Sequence, residues 1–305
     1  MQNNNIIWSK DVTNIIKGIA ILMIVIAHAG NRIPDSRILT PLGAVGVGLF
    51  LICSGYGLEK SYIKNGLSNY WSKKLYGVYM PWVLIEVIGI SFHPQMSMQD
   101  FILDLTLVHP LHPFGWYMKF LLIWYVAFYV VKIVFKNHWG GQFISLLAIA
   151  CATIIFWDEL YAQNSLSFLT GVVLSKKECY LDRLTRKSSI CILVLALIPL
   201  AYIRMARLLV VDDCNPIVWN IYSLAYYYSF TLVILSLILH IVEMNTVKYL
   251  SVVGVYSYSI YLVHGYTFEY FNSSSIVGIA SFFMATFVGS IVFQKISDFT
   301  KHILF

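Results

Sequence analysis

The stretch GIAILMIVIAHAG, residues 18–30, indicates the fold of this chain more directly than any other part of the sequence. It is an apolar run, continuous with the residues before it, and it approaches the length of about 20 residues with which an α-helix crosses a bilayer. Near its end stands His28. An imidazole is costly in hydrocarbon, so this histidine marks either the membrane surface or a polar cavity inside the protein.

The composition of the whole chain agrees with a membrane protein. Of its 305 residues, 59% are hydrophobic and only 12% are charged, whereas soluble domains carry about 25% charged residues. Apolar runs near the spanning length recur along nearly the whole sequence, which leaves no room for a soluble domain of ordinary size. We therefore interpret residues 1–305 as a single integral membrane domain.

The hydrophobic pattern predicts an all-α protein with about ten membrane-spanning helices in one bundle. A bilayer leaves no backbone group unpaired, and the runs are apolar nearly all round rather than alternating as in a barrel strand. The sixth span is the weakest, because its NSLSFLTGVVL segment is short and partly polar. The predicted spans cover residues 12–30, 42–58, 75–92, 117–135, 141–157, 161–175, 189–203, 217–240, 249–268 and 276–294.

The basic residues predict the orientation in the membrane. With the N-terminus in the cytoplasm, fifteen Lys and Arg residues fall on the inner side, counting Lys132 at the inner end of the fourth span, and four fall on the outer side, while Lys17 and Lys119 lie deeper within spans. This excess favours cytoplasmic N- and C-termini. The net charge of +6 then largely faces anionic membrane lipids. Because the basic residues are divided among short loops, they do not indicate a nucleic-acid partner.

Lys17 and His28 form the first candidate site. Eleven residues of α-helix make about three turns, so both side chains lie on one face, about 16 Å apart along the axis. In the predicted orientation Lys17 lies in the inner half of the bilayer and His28 in the outer half, and such a face indicates a polar cavity. The alternative is structural: Lys17 could extend to the inner headgroups, and His28 could be wetted at the outer surface.

Lys73 and Lys74 come just before the third predicted span, on the cytoplasmic side. A basic pair in this position is typical of membrane anchoring under the positive-inside rule. The alternative is a site for a phosphate-bearing ligand from the cytosol.

The sequence predicts no metal site. Its five cysteines are scattered and lack C-x-x-C spacing, so they indicate neither zinc binding nor a disulfide framework. His109 and His112 are three residues apart, but the prolines around them break any helix, and no carboxylate or cysteine stands beside them.

Five segments, taken in order, resemble motifs of the acyltransferase 3 family, whose members are integral membrane acyltransferases of sugars, peptidoglycan and other envelope molecules. KGIAILMIVIAH resembles the first-helix motif of a basic residue, ten further residues and a histidine, and GLFLICSGYGL resembles F-F-x-x-S-G-F. KKLYGVYMPWVL resembles the basic loop that leads to a proline. FGWYMKFLLIWYVAFYV resembles W-[FY]-x-x-x-L, and VGVYSYSIYLVHGY resembles S-Y-x-x-Y-L-x-H. The resemblance covers nearly the full chain.

The resemblance implies a reaction and the residues that carry it. His28 is then the catalytic histidine, a general base that takes the proton of an acceptor hydroxyl as its oxygen attacks an activated acyl carbon. The donor is then a cytosolic acyl-CoA, with acetyl-CoA as the first choice, and no metal takes part. The residues expected to hold the donor are Lys17, Ser54, Lys73 and Lys74. From their position near the outer face, the residues expected at the acceptor are Trp116, Tyr117, His264 and Glu269, although His264 could equally be a structural group at its helix end.

The chain departs from the family pattern at two positions. The basic residue of the first helix is usually arginine, and Lys17 keeps its charge without the bidentate fork. The loop before the third span usually carries R-x-x-R, whereas here Lys74 stands at the first position and Gly77 at the second. The donor site is therefore expected to hold one cation fewer than in the family.

The leading hypothesis is a multi-pass O-acyltransferase, most simply an O-acetyltransferase, of a bacterial plasma membrane. Its acceptor would be an envelope polysaccharide, such as an exopolysaccharide, or a lipid-linked sugar precursor. Two alternatives stay open. A transporter or flippase for an envelope lipid or sugar could use the Lys17–His28 face as its path, although the sequence shows no internal repeat. A non-catalytic relative acting as a membrane partner is compatible with Gly77.

Overall fold

The fold is entirely helical, as the hydrophobic pattern predicts. The computed structural model describes residues 8–33, 37–92, 95–110, 112–177, 179–184, 187–207, 215–242, 247–271 and 273–304. Within these ranges the chain contains no strand, and six helices are long and apolar enough to cross a membrane. The all-α prediction is confirmed. The count of ten spans and the cytoplasmic position of both termini stay predictions.

The helices follow one another with short connections. They are α1 (Lys10–Gly30), α2 (Thr40–Asn65), α3 (Tyr70–Lys74), α4 (Met80–Gly89), α5 (Met98–Leu105), α6 (Gly115–Phe135), α7 (Trp139–Phe156), α8 (Glu159–Ala162), α9 (Ser167–Lys176), α10 (Cys179–Leu184), α11 (Lys187–Arg207), α12 (Pro216–Ile241), α13 (Leu250–Val255), α14 (Ser257–Tyr270) and α15 (Ile276–Leu304). The six candidate spans are α1, α2, α6, α7, α12 and α15. A π-helical segment, Leu75–Tyr79, joins α3 to α4.

Each of the ten predicted spans overlaps at least one helix, but three of them change helix type or are divided between two helices. The third changes from the π-helical segment to α4, the sixth is split into α8 and α9, and the ninth is split into α13 and α14. Asn164 and Ser165 lie in the turn between α8 and α9, where their backbone N–H groups donate to the carbonyl oxygens of Tyr161 and Ala162. Non-helical backbone at membrane depth is tolerated where it is buried in protein or lines a cavity.

The centre of the bundle is built from α1 and α2. α1 contacts α2, α12, α13 and α14, and α2 also crosses α9. The crossing of α2 and α9 requires glycine on both helices. A Cβ added to Gly55 would lie 2.1 Å from the carbonyl oxygen of Phe168, and one added to Gly171 would lie 2.0 Å from that of Ile52. Small residues thus bring the two backbones into direct contact.

The outer helices expose apolar surface. In the most hydrophobic window of α2, 67% of the residues are buried, against 22% in α7 and in α15. Large apolar side chains such as Phe156 and Ile276 are exposed on these outer helices. A soluble protein rarely exposes apolar patches of this extent. The outer helices are therefore suited to contact with lipid.

Candidate active site

His28 lies in the last turn of α1, half-buried among aromatic side chains. The centroid of its ring is 4.0 Å from that of Phe114, 5.4 Å from that of His264 and 5.6 Å from that of Phe268. His28 also lines a cavity of about 360 Å³, which we call the histidine cavity. Its imidazole is therefore both held by its neighbours and open to a ligand.

His264 on α14 is buried behind His28. Its ring is stacked on Phe114 with a centroid distance of 4.6 Å. The Nδ1–H of His264 donates to the carbonyl oxygen of Tyr261, so Nε2 carries the free lone pair of the neutral ring. This buried Nε2 has no hydrogen-bond partner among the described residues.

His112 holds the segment that precedes α6. Its Nδ1 accepts from the backbone N–H of Phe114 at 3.1 Å, so Nε2 carries the proton and donates to the carbonyl oxygen of Leu262, also at 3.1 Å. Burial lowers the pKa of His112 to about 4, which keeps the ring neutral. Among the described residues, no group of three or more His, Cys, Asp or Glu side chains is arranged to hold a metal.

Lys17 lines a second cavity, about three turns of α1 before His28. This lysine cavity has a volume of about 180 Å³. α2 brings Ser54 to the same cavity, and α6 contributes Tyr117 and Tyr125. Two of the predicted donor residues, Lys17 and Ser54, therefore share one polar space.

Lys74 lines a larger, mostly apolar groove of about 540 Å³, which we call the side groove. Its Nζ lies 4.7 Å from the centroid of the Tyr125 ring. Burial, and then the charges of Lys73 and Lys17, lower the pKa of Lys74 to about 8. Lys73 is exposed and shares a small recess at the surface with Lys74. The three predicted donor lysines are therefore near one end of the bundle.

The three cavities adjoin one another along the bundle. Val78 and Tyr125 line both the side groove and the lysine cavity, and Tyr261 lines both the lysine cavity and the histidine cavity. The Tyr261 hydroxyl donates to the carbonyl oxygen of Phe114, and the Tyr261 ring is 5.0 Å from that of Tyr117. The side chain of Tyr261 thus forms a partition between the lysines and the histidine.

Gly77 lines the lysine cavity at the position where the family usually has the second arginine. A Cβ added to Gly77 would meet no heavy atom within 4 Å. Among the described residues, no side chain therefore occupies the space next to the Gly77 backbone where a longer side chain would begin.

The four predicted acceptor residues lie in different places. Trp116 lines the histidine cavity, whereas Tyr117 lines the lysine cavity. Consecutive residues of a helix point about 100° apart, so these two neighbours reach different spaces. His264 is buried behind His28, and Glu269 is exposed on α14, where it lines none of the three cavities.

The structure adds a set of polar residues that the sequence did not identify. They line the histidine cavity, and we call them the polar wall: Asn31, Thr40, Glu159, Gln163 and Tyr227. One signal was present in the sequence, because Gln163 falls in the sixth predicted span, whose polar character made it the weakest of the ten. A polar segment among apolar helices is where a cavity is expected.

The fold and the site define a polytopic helical membrane protein with a histidine and a group of lysines near opposite ends of its first helix. A family model described as an acyltransferase domain matches residues 13–295. The chain therefore belongs to the acyltransferase 3 family, as its motifs predicted. Comparison with curated proteins and with solved structures found no significant match.

Proposed function

We propose that this protein moves an acetyl group from cytosolic acetyl-CoA to a hydroxyl of an envelope glycan or its lipid-linked precursor, with His28 as general base. Membership of the family supports acyltransfer rather than the transporter interpretation. The observation that carries the finer proposal is the row of cavities along α1, with Lys17 at one end, His28 at the other and Tyr261 between them.

The lysine end suits an acyl-CoA donor. The phosphates of CoA need cations, and Lys17, Lys73 and Lys74 gather at the end predicted to face the cytosol. The side groove of about 540 Å³ could take apolar parts of the CoA. The lysine cavity, at about 180 Å³, has room for a short acyl group but not for a long fatty chain. Its size therefore favours acetyl.

In the reaction, His28 accepts one proton and then donates it. The thioester passes Tyr261, and a neutral His28 takes the proton of the acceptor hydroxyl while its oxygen attacks the thioester carbonyl carbon. The new C–O bond forms, the C–S bond breaks, and the proton moves from His28 to the CoA sulfur. A base in this role contributes about 10²–10⁴-fold to the rate.

The orientation of the protein in the membrane follows from the positions of the lysines and of His28 along the bundle. Acyl-CoA is a cytosolic metabolite, so the lysine end faces the cytoplasm in this proposal, and the positive-inside rule supports that orientation. His28 then lies towards the outer face of a bacterial plasma membrane, where glycans are assembled and exported.

The first test measures the acetyl content of the surface glycan by NMR or mass spectrometry. The strains are a deletion and the same deletion carrying wild type, His28→Ala or His109→Ala at matched membrane expression. His109 is an exposed histidine that lines none of the three cavities, and it serves as the control. We expect wild type and His109→Ala to restore acetylation and His28→Ala to leave it absent.

Two results would contradict the proposal. If the His28→Ala variant fully restored the acetyl content of the surface glycan, His28 would not be the general base. An unchanged acyl content in the deletion strain, together with no acetyl-CoA turnover by the purified protein, would instead favour the non-catalytic relative.

A further inference from the structure

Arg32 stands just beyond the end of α1, four residues after His28 and about one helical turn further along. Its backbone N–H donates to the carbonyl oxygen of Ala29 at 3.2 Å, which continues the turn past the last helical residue. In the predicted orientation Arg32 is one of the four basic residues on the outer side. The side on which the acceptor is expected therefore carries a cation next to the proposed base.

The guanidinium of Arg32 is held against α14 and α15. One terminal nitrogen, Nη2, donates to the carbonyl oxygen of Phe268. The Cζ lies 4.2 Å from the centroid of the Phe268 ring and 4.9 Å from that of the Phe282 ring. The Phe268 ring also lies 5.6 Å from that of His28, measured between centroids. Phe268 therefore contacts both the proposed base and the cation.

The other terminal nitrogen of Arg32 lacks an acceptor. Nη1 is buried without a hydrogen-bond partner, and no ion pair joins Arg32 to a carboxylate within the described part of the chain. Its positive charge acts on the imidazole of His28. A buried donor without a partner needs an explanation, and a bound ligand or ion is one. The planar fork of arginine fits carboxylate and phosphate, so the expected partner is an anionic oxygen group.

The histidine cavity extends to the residue next to Arg32. Asn31 and Thr40 both line it, and the Thr40 hydroxyl donates to Asn31 Oδ1 at 2.9 Å. Glu159, the carboxylate of the same polar wall, accepts from Ser223 on α12 at 2.7 Å, whereas Arg32 is bound to α14. A ligand in the cavity can therefore meet the proposed base and reach towards the cation at the same time.

We propose that Arg32 binds an anionic group of the acceptor, a phosphate or a carboxylate, and so selects an acidic sugar unit. The anionic group pairs with Arg32 while a neighbouring hydroxyl of the same sugar meets His28, because the two side chains are about one helical turn apart. Arg32 as a whole is half-buried, so a small rotation of its side chain is enough to present Nη1 to the ligand.

The inference rests on the proposed acyltransfer and narrows its acceptor. The general acceptor is any hydroxyl of an envelope glycan or its precursor. Arg32 restricts it to sugars with an acidic group close to the acetylated hydroxyl, such as the phosphate of a lipid-linked precursor or the carboxylate of a uronic acid. Charge-assisted hydrogen bonds to guanidinium are about twice as strong as neutral ones, so the restriction is expected to be measurable.

The test uses the purified full-length protein in lipid nanodiscs with acetyl-CoA. The acceptors form a glucose set and a galactose set, each with the neutral methyl glycoside, the methyl glycoside of the uronic acid and the sugar 1-phosphate. Acetyl transfer, acetyl-CoA hydrolysis without acceptor, and binding by saturation-transfer NMR are measured separately. We expect at least one acidic acceptor to exceed its neutral counterpart by about tenfold or more in kcat/KM. The better of the two acidic forms identifies the anionic group.

The variants test whether Arg32 carries the preference. Arg32→Gln removes the charge, and we expect the ratio of acidic to neutral kcat/KM to fall to about one. Arg32→Lys keeps the charge without the fork and should give an intermediate ratio. Arg183→Gln is the matched control, since Arg183 is an exposed arginine on α10 that lines none of the three cavities. A loss of folded protein lowers both rates and leaves their ratio unchanged, so the ratio reports on recognition.

The outcomes separate the anion site from the reaction. Equal use of neutral and acidic acceptors, or the same ratio in Arg32→Gln as in Arg183→Gln, would overturn the anion site. So would a failure of every acidic acceptor to bind while transfer to a neutral glycoside still depends on His28. Binding of an acidic acceptor that depends on Arg32, combined with no turnover that depends on His28, would support the anion site and overturn the proposed reaction.

Discussion

The imidazole rings of His28 and His264 lie 5.4 Å apart, and Phe114 contacts both of them. The two histidines belong to α1 and α14, which are far apart in the chain and pack together in the bundle. The side chain proposed as general base is thus oriented by an aromatic cluster. A second ring nitrogen, Nε2 of His264, is buried in the same cluster without a partner among the described residues.

His264→Phe distinguishes a positioning role for His264 from simple packing. Phenylalanine has a similar shape and removes the buried unpartnered nitrogen, so the thermal stability should stay equal or rise slightly. If His264 orients His28, kcat for acetyl transfer should fall about tenfold, because small displacements of a base are costly. The KM for acetyl-CoA should stay the same. An unchanged kcat and pH profile would show that His264 only fills space.

Tyr261→Ala should open the partition between the lysine cavity and the histidine cavity. Water would then reach the thioester, and hydrolysis of acetyl-CoA without acceptor should increase severalfold relative to transfer. Tyr261→Phe keeps the ring and loses only the hydrogen bond to Phe114. Its ratio of hydrolysis to transfer should therefore stay the same as in the wild type. Loss of a large buried side chain costs about 3–5 kcal/mol, and the folded fraction must therefore be checked for both variants. Equal hydrolysis in folded Tyr261→Ala and wild type would contradict the partition.

Binding of CoA should weaken as the pH rises from 7 to 9. The pKa of Lys74 is lowered to about 8, so the side chain is cationic below that pH and neutral above it. Its charged fraction falls from about 90% to about 10% over this interval. Lys74→Arg stays charged and should give a dissociation constant that is nearly independent of pH. Lys73→Arg is the control and should keep the wild-type dependence. Identical curves for wild type and Lys74→Arg would argue against phosphate binding by Lys74.

Gly77→Arg should restore a cation that the family pattern contains and this chain lacks. The position has open space around a Cβ, so the substitution needs no rearrangement nearby. A charge-assisted contact with a CoA phosphate should tighten CoA binding by about 1 kcal/mol, or roughly fivefold. Gly77→Ala provides the backbone control, because any helix-forming gain is present there without the charge. Equal affinities for the two variants would place the CoA phosphates elsewhere.

The ion pair between Glu59 and Lys132 should be the most sensitive polar contact for stability. Both side chains are fully buried, with Lys132 Nζ 2.5 Å from Glu59 Oε2 and 2.7 Å from Gln142 Oε1. Removing one partner, as in Lys132→Met, should destabilise the fold by about 1–3 kcal/mol, because the buried carboxylate loses its nearest cation and keeps Lys176, whose Nζ is 3.6 Å from Glu59 Oε1. The double variant Glu59→Leu/Lys132→Met should recover most of that loss. The free energy of unfolding of the wild type, both single variants and the double variant is measured in matched micelles as a double-mutant cycle. If the effects of the two single substitutions add up to that of the double variant, the two side chains are not coupled.

The sequence predicted the fold class well and the interruptions poorly. Runs of apolar residues are local, and they correctly predicted an all-helical chain, whereas the count of ten spans stays a prediction. The divisions of the third, sixth and ninth spans were not predicted, since a short polar turn in an apolar run resembles a tolerated polar residue in a helix. The Asn164–Ser165 turn is the clearest case, because only the packing of α8 against α7 and α12 shows why the helix breaks there.

The chemistry of the chain alone was enough to predict a helical membrane protein with Lys17 and His28 on one face, because both conclusions depend on hydropathy and helical period. The motifs were enough to predict the family. Which side chains share a cavity could not be derived in this way. Glu159 and His28 line the same space because helices distant in the chain meet at positions set by glycine contacts and aromatic packing. Those contacts act between segments, and no local pattern in the sequence encodes which segments become neighbours.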